Sequence, residues 1–500
     1  MDRPPRVRSW LAGLAALVLL ATGSAAVTGP RPAVAAPGQP FTNPLKSQKG
    51  ADPWLEYYNG SYYLITTTFT NVLGIRKSPT LAGLATAPNV QVWSDTTASR
   101  GTNFWAPEMH FHNGRWYIYY SAGAAGVVCC DSQRTHVLES AGSDPMGPYS
   151  YRNITTHSSL WNGWLIDASL LRLNGSLYLL GSGFMGNPRS AQSLVIAPLS
   201  NPYTLSGGFS IISSPTLNWE TQGGSVNEAP VALQRSGQTF VVYSASSCQT
   251  PEYKLGRLTY AGGSPLSASA WSKHSSPVFQ RNNSAGVYGP AHNGFFTSPD
   301  GTENWIVYHA NASTSGGCGN GRTTRAQRFT WNADGTPDFG TPVALGVTLP
   351  GPAGETAATP TSYRIVNRQS GKCLDVAGQS TADGANVQQW TCHNGNNQRW
   401  RIEDLGDDTS RLVNVHSGKV LDVSNCGTGD GVNLQQWSWL NNNCQRFRLV
   451  VSAAEGWVRL VNASSGKVAD VTDCGTADGV NVRQWTWLGN SCQQWQLQPL

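Results

Sequence analysis

Along the first 350 residues one pattern of polar and apolar positions recurs. A short polar turn leads into a strand of aromatic and β-branched residues. The turns are Asn59-Gly60, Asn113-Gly114, Asn174-Gly175, Ser236-Gly237 and Asp300-Gly301, and the strands after them include Tyr62-Tyr63-Leu64-Ile65, Trp116-Tyr117-Ile118-Tyr119 and Phe240-Val241-Val242. Asn-Gly and Asp-Gly permit the positive φ that two-residue hairpin turns need. Successive turns start 54, 61, 62 and 64 residues apart (113−59, 174−113, 236−174, 300−236). That spacing fits a unit of four short strands with loops. Five units predict an all-β, five-bladed β-propeller, with an irregular β-sandwich as the alternative.

A second pattern fills the C-terminal part, with a period of about 48 residues. Leu374-Asp375-Val376, Leu421-Asp422-Val423 and Ala469-Asp470-Val471 recur, as do Gln388-Gln389-Trp390, Gln435-Gln436-Trp437 and Arg483-Gln484-Trp485. Three such hairpin units predict a β-trefoil. Between the two patterns lies a Pro/Gly/Ala/Thr-rich stretch that reads as a linker. The expected division is a leader over 1–35, the propeller over 36–349, the linker over 350–361 and the trefoil over 362–500.

Cysteines change the picture in the trefoil. Each repeat carries one pair: Cys373 and Cys392, Cys426 and Cys444, Cys474 and Cys492. Three local disulfides are expected, each contributing ~3 kcal/mol by loop closure. Cys129, Cys130, Cys248 and Cys318 complete an even set of ten. For these, either Cys129 and Cys130 bond to each other or they split to Cys248 and Cys318. No Cys/His spacing suggests zinc.

Arg3, Arg6 and Arg8, an apolar run from Trp10 to Val27, and Ala33-Val34-Ala35 have the form of a secretory signal. A secreted, extracellular protein is expected, and no later stretch is apolar and long enough for a membrane span. Net charge is +5 with 13% charged residues and no basic block, which argues against nucleic acid. The 54 Gly, 19 Trp and 17 Tyr suit a turn-rich β protein whose aromatics can stack on sugar rings. A monomer is expected.

Candidate chemistry lies just before the hairpin turns. Asp52, Asp167 and Glu228 precede theirs by 7, 7 and 8 residues (59−52, 174−167, 236−228). Equivalent positions in three blades would bring three carboxyls together at the central channel. The surrounding motifs are Ala51-Asp52-Pro53, Trp105-Ala106-Pro107-Glu108, Ile166-Asp167-Ala168-Ser169, Asn227-Glu228-Ala229-Pro230, Gly289-Pro290-Ala291-His292 and Gly321-Arg322-Thr323-Thr324. In order and spacing this set resembles glycoside hydrolase family 43, from Asp52 to about Thr341. The resemblance implies an inverting mechanism, with Asp52 as general base, Glu228 as general acid and Asp167 tuning and holding the acid. An inverting pair stands roughly 6.5–9.5 Å apart to admit a water. A neighbouring negative charge, expected from Asp167, would raise the acid's pKa. Glu108 and Glu220 compete for the acid role, Glu220 from a loop.

The resemblance further implies that Arg322 contacts sugar hydroxyls near the acid, and that His292 helps hold a calcium or sodium ion or a water in the channel. No cofactor is needed for the chemistry. Trp54, Phe104 and Trp105 flank the carboxyl segments and are candidates to stack on a sugar.

The trefoil resembles the ricin-B-like lectins, carbohydrate-binding module family 13. There Asp375, Gln388, Trp390 and Asn397 match a complete sugar site. Asp422, Gln435 and Trp437 match a second, with Cys444 where Asn belongs. Asp470 and Trp485 match a third, with Arg483 and Cys492 as departures. The Gln-x-Trp residues are expected in the core. Plant cell-wall arabinan or arabinoxylan is the expected partner, and the binding module is expected to be separable.

Details such as Asn293-Gly294-Phe295-Phe296 and Arg322-Thr323-Thr324-Arg325 look most like the exo-acting α-L-arabinofuranosidases of the family. Endo-α-1,5-L-arabinanase and β-xylosidase are the alternatives. A non-catalytic polysaccharide-binding lectin is the alternative from another class.

Overall fold

A computed structural model describes residues 38–127, 130–154, 159–186 and 188–500. The secretory segment and Cys129 lie outside them. Among the described residues the elements are strands and short 3-10 turns, and no helix is long and apolar enough to cross a membrane.

At Asn59-Gly60, Asn113-Gly114, Asn174-Gly175 and Ser236-Gly237 every turn residue has φ between 45° and 82°. A Cβ on any of these four glycines would meet nothing within 4 Å. Backbone conformation, rather than space, therefore selects glycine there. The fifth connection differs from the expected tight turn. Ser298 to Glu303 separate the strands, because Asp300 Oδ1 accepts from Ser298 Oγ and from Thr302 N and builds a wider loop.

Each hairpin opens an antiparallel meander. Four stand as separate sheets: Thr102–His112 to Tyr149–Arg152, Leu160–Leu173 to Ser210–Ser213, Asn227–Arg235 to Trp271–Lys273, and Tyr288–Thr297 to Pro337–Asp338. They are blades of a β-propeller. Trp54–Tyr58, Ser61–Ile65, Val72–Ser78 and Asn89–Ser94 form a further meander of the same order. Its last strand does not end the sheet.

The innermost strands share a backbone irregularity. Asp52, Ala106, Asp167, Ala229 and His292 all have φ between 47° and 54°, which non-glycine residues seldom adopt. Around the last four, strand register shifts as at a bulge. A bulge re-aims a side chain out of the regular alternation. The amide of each of the five donates to a side chain of the preceding meander: Ala106 to Thr67 Oγ1 (2.8 Å), Asp167 to Ser121 Oγ (3.4 Å), Ala229 to Asp167 Oδ2 (2.9 Å), and His292 to Ser244 Oγ (2.8 Å). Asp52 closes the series by donating to His309 Nδ1 (3.0 Å). Polar side chains thus compensate backbone groups that the bulges remove from the ladders.

The C-terminal part is a β-trefoil of three repeats, and its disulfides are Cys373–Cys392, Cys426–Cys444 and Cys474–Cys492, as expected. Cys248 bonds to Cys318, so the split pairing of Cys129 and Cys130 to these two does not form. Strand alternation overturns the core reading of the Gln-x-Trp residues. Trp390 is 40% exposed, and Gln388, Gln435, Trp437 and Trp485 are half-buried. The middle glutamines are buried instead. Gln389 Nε2 donates to the Gly475 and Ala477 carbonyls, Gln436 to Ser380 and Ala382, and Gln484 to Gly427 and Gly429, each joining its repeat to the preceding one in cyclic order.

Propeller and trefoil share a sheet and a core. Asn89–Ser94 pairs in parallel with the trefoil strand Phe447–Val451, Val90 opposite Leu449. Ile75, Val90 and Val92 belong to one buried cluster with Leu449 and Leu460. Burial of each such side chain contributes ~2 kcal/mol. Nor does the 350–361 stretch hang free as a linker. Glu355 accepts from the amides of Leu81 (2.8 Å) and Gln39 (3.0 Å), and Thr359 Oγ1 meets Thr80 Oγ1 at 2.9 Å. A separable module is not what this packing provides.

Candidate active site

A cavity of about 490 Å³ opens at the bulged ends of the inner strands, and Asp52, Asp167 and Glu228 all line it. Positive-φ backbone at Asp52, just before the strand Trp54–Tyr58, and at Asp167 takes both out of the regular alternation. Glu228 sits one residue before its bulge residue, Ala229.

The three carboxyls have different surroundings. Asp52 Oδ1 accepts from Arg322 Nη1 (3.0 Å) and faces His292 Nδ1 (3.2 Å), and Oδ2 accepts from Thr67 Oγ1 (2.5 Å). Burial alone would raise its pKa. Arg322, His292 and His309 override that and hold it well below the ordinary value. Asp52 is therefore an ionised carboxylate. Glu228 Oε1 accepts from the Tyr253 hydroxyl (2.8 Å) and Oε2 from Gln192 Nε2 (2.7 Å). Burial pushes its pKa up against these two bonds, with help from the Asp52 charge. Asp167 is itself pushed well above its ordinary value, by burial, then Glu228, then Asp52. Asp167 and Glu228 share one buried environment, and the ionised Asp52 raises both. Asp167 also holds the Ala229 amide, and with it the backbone that carries Glu228.

The other expected residues divide. Trp105 lines the cavity beside Phe69, their ring centroids 6.5 Å apart. Trp54 does not reach it: its indole donates to Glu56 Oε1 (3.0 Å) and its ring packs on His110. Phe104 is fully buried against Tyr120. Phe104 alternates with the cavity-lining Trp105 along its strand, and Trp54 follows the positive-φ backbone at Asp52 that breaks the alternation. Arg322 lines the cavity with Glu228, acts on it electrostatically, and donates to the base position, Asp52. Glu108 is buried against His110 (2.9 Å) and outside the cavity wall. Glu220 ends a 3-10 turn rather than lying in a loop, and is held by Lys273 (2.9 Å), Tyr243 and Asn227.

His292 spends Nδ1 on Asp52, and among the described residues no group of three His, Cys, Asp or Glu is arranged to hold a metal ion. Calcium takes six to eight oxygen ligands. A single imidazole nitrogen turned to Asp52 supplies none of these.

Sequence reading missed Phe69, Trp164, Gln192 and Tyr253, which all line the cavity. No motif surrounds Phe69, Gln192 or Tyr253, while Trp164 lies two residues before the Ile166-Asp167 motif. It also missed that the Cys248–Cys318 bond lies in the cavity wall and that the Cys318 carbonyl accepts from Arg322 Nη2 (2.8 Å).

In the trefoil, Asp375 is buried and accepts from Gln388 (3.0 Å), Asn397 (2.7 Å) and Gln398 (3.0 Å). Asp422 accepts from Gln435 (2.9 Å). In the third repeat Arg483 pairs with Asp470 (3.0 Å) and Asp473 (3.2 Å), its guanidinium 4.1 Å from the centre of the Trp485 ring.

Residues 41–337 match the family model described as Glycosyl hydrolases family 43. The chain belongs to that family. Residues 352–437 and 443–500 match the Ricin-type beta-trefoil lectin domain-like family. Among relatives of this family 43 chain, an extracellular exo-alpha-(1->5)-L-arabinofuranosidase of Streptomyces avermitilis is 40% identical over 353 residues, 68% of this chain and 71% of the relative. Alpha-L-arabinofuranosidase 43 of Humicola insolens is 36% identical over 326 residues, 63% of this chain and 66% of its own length. The crystal structure of an alpha-L-arabinofuranosidase from Lactobacillus brevis superposes with a TM-score of 0.57 at 32% identity, covering 61% of this chain and 98% of that one.

Proposed function

We propose that the protein is a secreted, inverting exo-α-L-arabinofuranosidase that releases terminal arabinofuranose from arabinan or arabino-oligosaccharides. The observation that carries this reading is the pairing in one cavity of an ionised Asp52 with a Glu228 biased toward its protonated form. Glu228 donates its proton to the glycosidic oxygen. Asp52 takes a proton from the water that attacks the anomeric carbon from the opposite face. Asp167 positions Glu228, and Gln192 and Tyr253 hold its carboxyl plane. Phe69, Trp105 and Trp164 supply apolar faces for the sugar. The names of the Streptomyces, Humicola and Lactobacillus relatives favour arabinofuranose over xylose.

The expected division is a leader over 1–35, a propeller over 36–349, a connector over 350–361 and a trefoil over 362–500. The meander that begins at Trp54 is the fifth blade, a reading supported by the five successive positive-φ amides, the last returning from Asp52 to His309. The trefoil holds plant cell-wall polysaccharide, with Asp375 and Trp390 in its first site and weak sites adding through avidity.

Product analysis on debranched arabinan tests the activity. Arabinose is expected as the only early product, with a nitrophenyl α-L-arabinofuranoside cleaved and its β-xyloside counterpart untouched. A ladder of oligosaccharides would make the enzyme an endo-arabinanase, and polymer binding without hydrolysis would make it a lectin. Trp390→Ala is expected to weaken retention on insoluble arabinoxylan several-fold, since an aromatic–sugar stack contributes ~1 kcal/mol. Its turnover of the nitrophenyl substrate should stay at the parent rate.

A further inference from the structure

The segment from Leu45 to Gly50 leads directly into Asp52, and it lies between the active site and the trefoil. On its active-site side the Leu45 amide donates to the Thr324 carbonyl (2.9 Å), the Thr324 amide to the Lys46 carbonyl (3.0 Å), and the Gly50 amide to the Arg322 carbonyl (3.0 Å). The Lys49 carbonyl accepts from Thr66 Oγ1 (2.9 Å), next to the Thr67 that bonds Asp52. This segment therefore sets both the backbone of Asp52 and that of its partner Arg322.

Its other side is basic. Lys46 is buried, with Nζ on Thr66 Oγ1 (2.7 Å), and Lys49 and Arg76 stand beside it. Arg76 Nη1 also holds the Leu84 carbonyl (3.0 Å) and reaches toward that of Leu45 (3.4 Å). The anions that face these three cations come from the trefoil. Asp404 Oδ2 accepts from Arg76 Nη2 (2.6 Å), and Asp408 Oδ2 lies 3.6 Å from Lys49 Nζ. Both acids flank the turn after the strand Arg399–Asp404, where a Cβ on Gly406 would come within 3.0 Å of the Gln48 amide oxygen. Among the described residues no other carboxylate faces these three side chains. Buried charge left unpaired is strongly destabilising. The low dielectric shows in Lys46, whose pKa burial, seconded by Arg76, lowers to about 7.

We propose that Asp404 and Asp408 of the trefoil are positioning residues for hydrolysis, acting through the 45–50 segment on Asp52 and Arg322. The trefoil is then part of the catalytic unit as well as a polysaccharide anchor. The proposal rests on the reading of Asp52 as general base.

The test is the full-length Asp404→Asn/Asp408→Asn variant assayed on a nitrophenyl α-L-arabinofuranoside, a substrate too small to need the trefoil's sugar sites. Asparagine keeps the side-chain oxygen that caps the Gly406 amide and removes the charge together with the oxygen that accepts from Arg76. The expected result is a kcat about ten-fold lower, as for a small misplacement of a reacting group, with KM within two-fold. The amplitude of cooperative thermal unfolding should match the parent, and Asp404→Glu/Asp408→Glu should recover turnover. Parent kcat in the asparagine variant overturns the proposal. So does a loss that tracks a reduced unfolding amplitude, since that reports less folded enzyme. Asp52→Asn measured alongside separates this from the functional reading: if it is inactive while the asparagine pair is fully active, only the positioning role fails.

Discussion

Replacing Glu228 by Ala is expected to slow arabinan hydrolysis by ~10²–10⁴, the range a positioned general acid contributes. The loss should be smaller on a nitrophenyl arabinofuranoside, because nitrophenolate departs without a proton. Equal losses on the two substrates would remove Glu228 from the acid role. The pH profile provides a second reading. A raised carboxyl keeps its proton to higher pH, so the alkaline limb of kcat/KM should lie above the ordinary glutamate range. In the Ala variant that limb should vanish for the activated substrate.

Asp52→Asn is expected to lower turnover by ~10²–10⁴ on both substrates alike, since the attacking water needs a base whatever group leaves. It should also destabilise the protein. Arg322 is only 5% exposed and faces the Asp52 carboxylate at 3.0 Å. Removing one partner of a buried ion pair costs ~3–5 kcal/mol, an upper value here because the Cys318 carbonyl still accepts from Arg322. Denaturant unfolding measures this directly. An Asn variant as stable as the parent would show that Arg322 finds other anions or water.

Local chemistry made part of the fold legible in advance. Asn-Gly pairs dictate hairpin turns through φ, and a repeated turn marks a repeated unit. The Asp300 turn escaped because its side chain caps a wider loop. The carboxyls were legible by their common distance from the turns, although their common cause is backbone: the positive-φ residue is Asp in two meanders, Ala in two and His in one. Phe104 misled because neighbours in a strand face opposite ways, and Trp54 because the positive φ at Asp52 breaks the alternation between them. The same alternation, applied to Gln388-Gln389-Trp390, would have put Gln389 inside and Trp390 outside. Gln192 and Tyr253 carry no motif at all. They reach Glu228 from positions 36 and 25 residues away, through pairings that only tertiary structure reveals.

The parallel pairing of Asn89–Ser94 with Phe447–Val451 also bears on ancestry. A gene fusion that exchanged this trefoil for an unrelated binding module would leave Val90 and Val92 on an uncovered sheet edge, which invites edge-to-edge aggregation. Lineages should therefore inherit the two parts together, and substitutions along that seam should track one another between them.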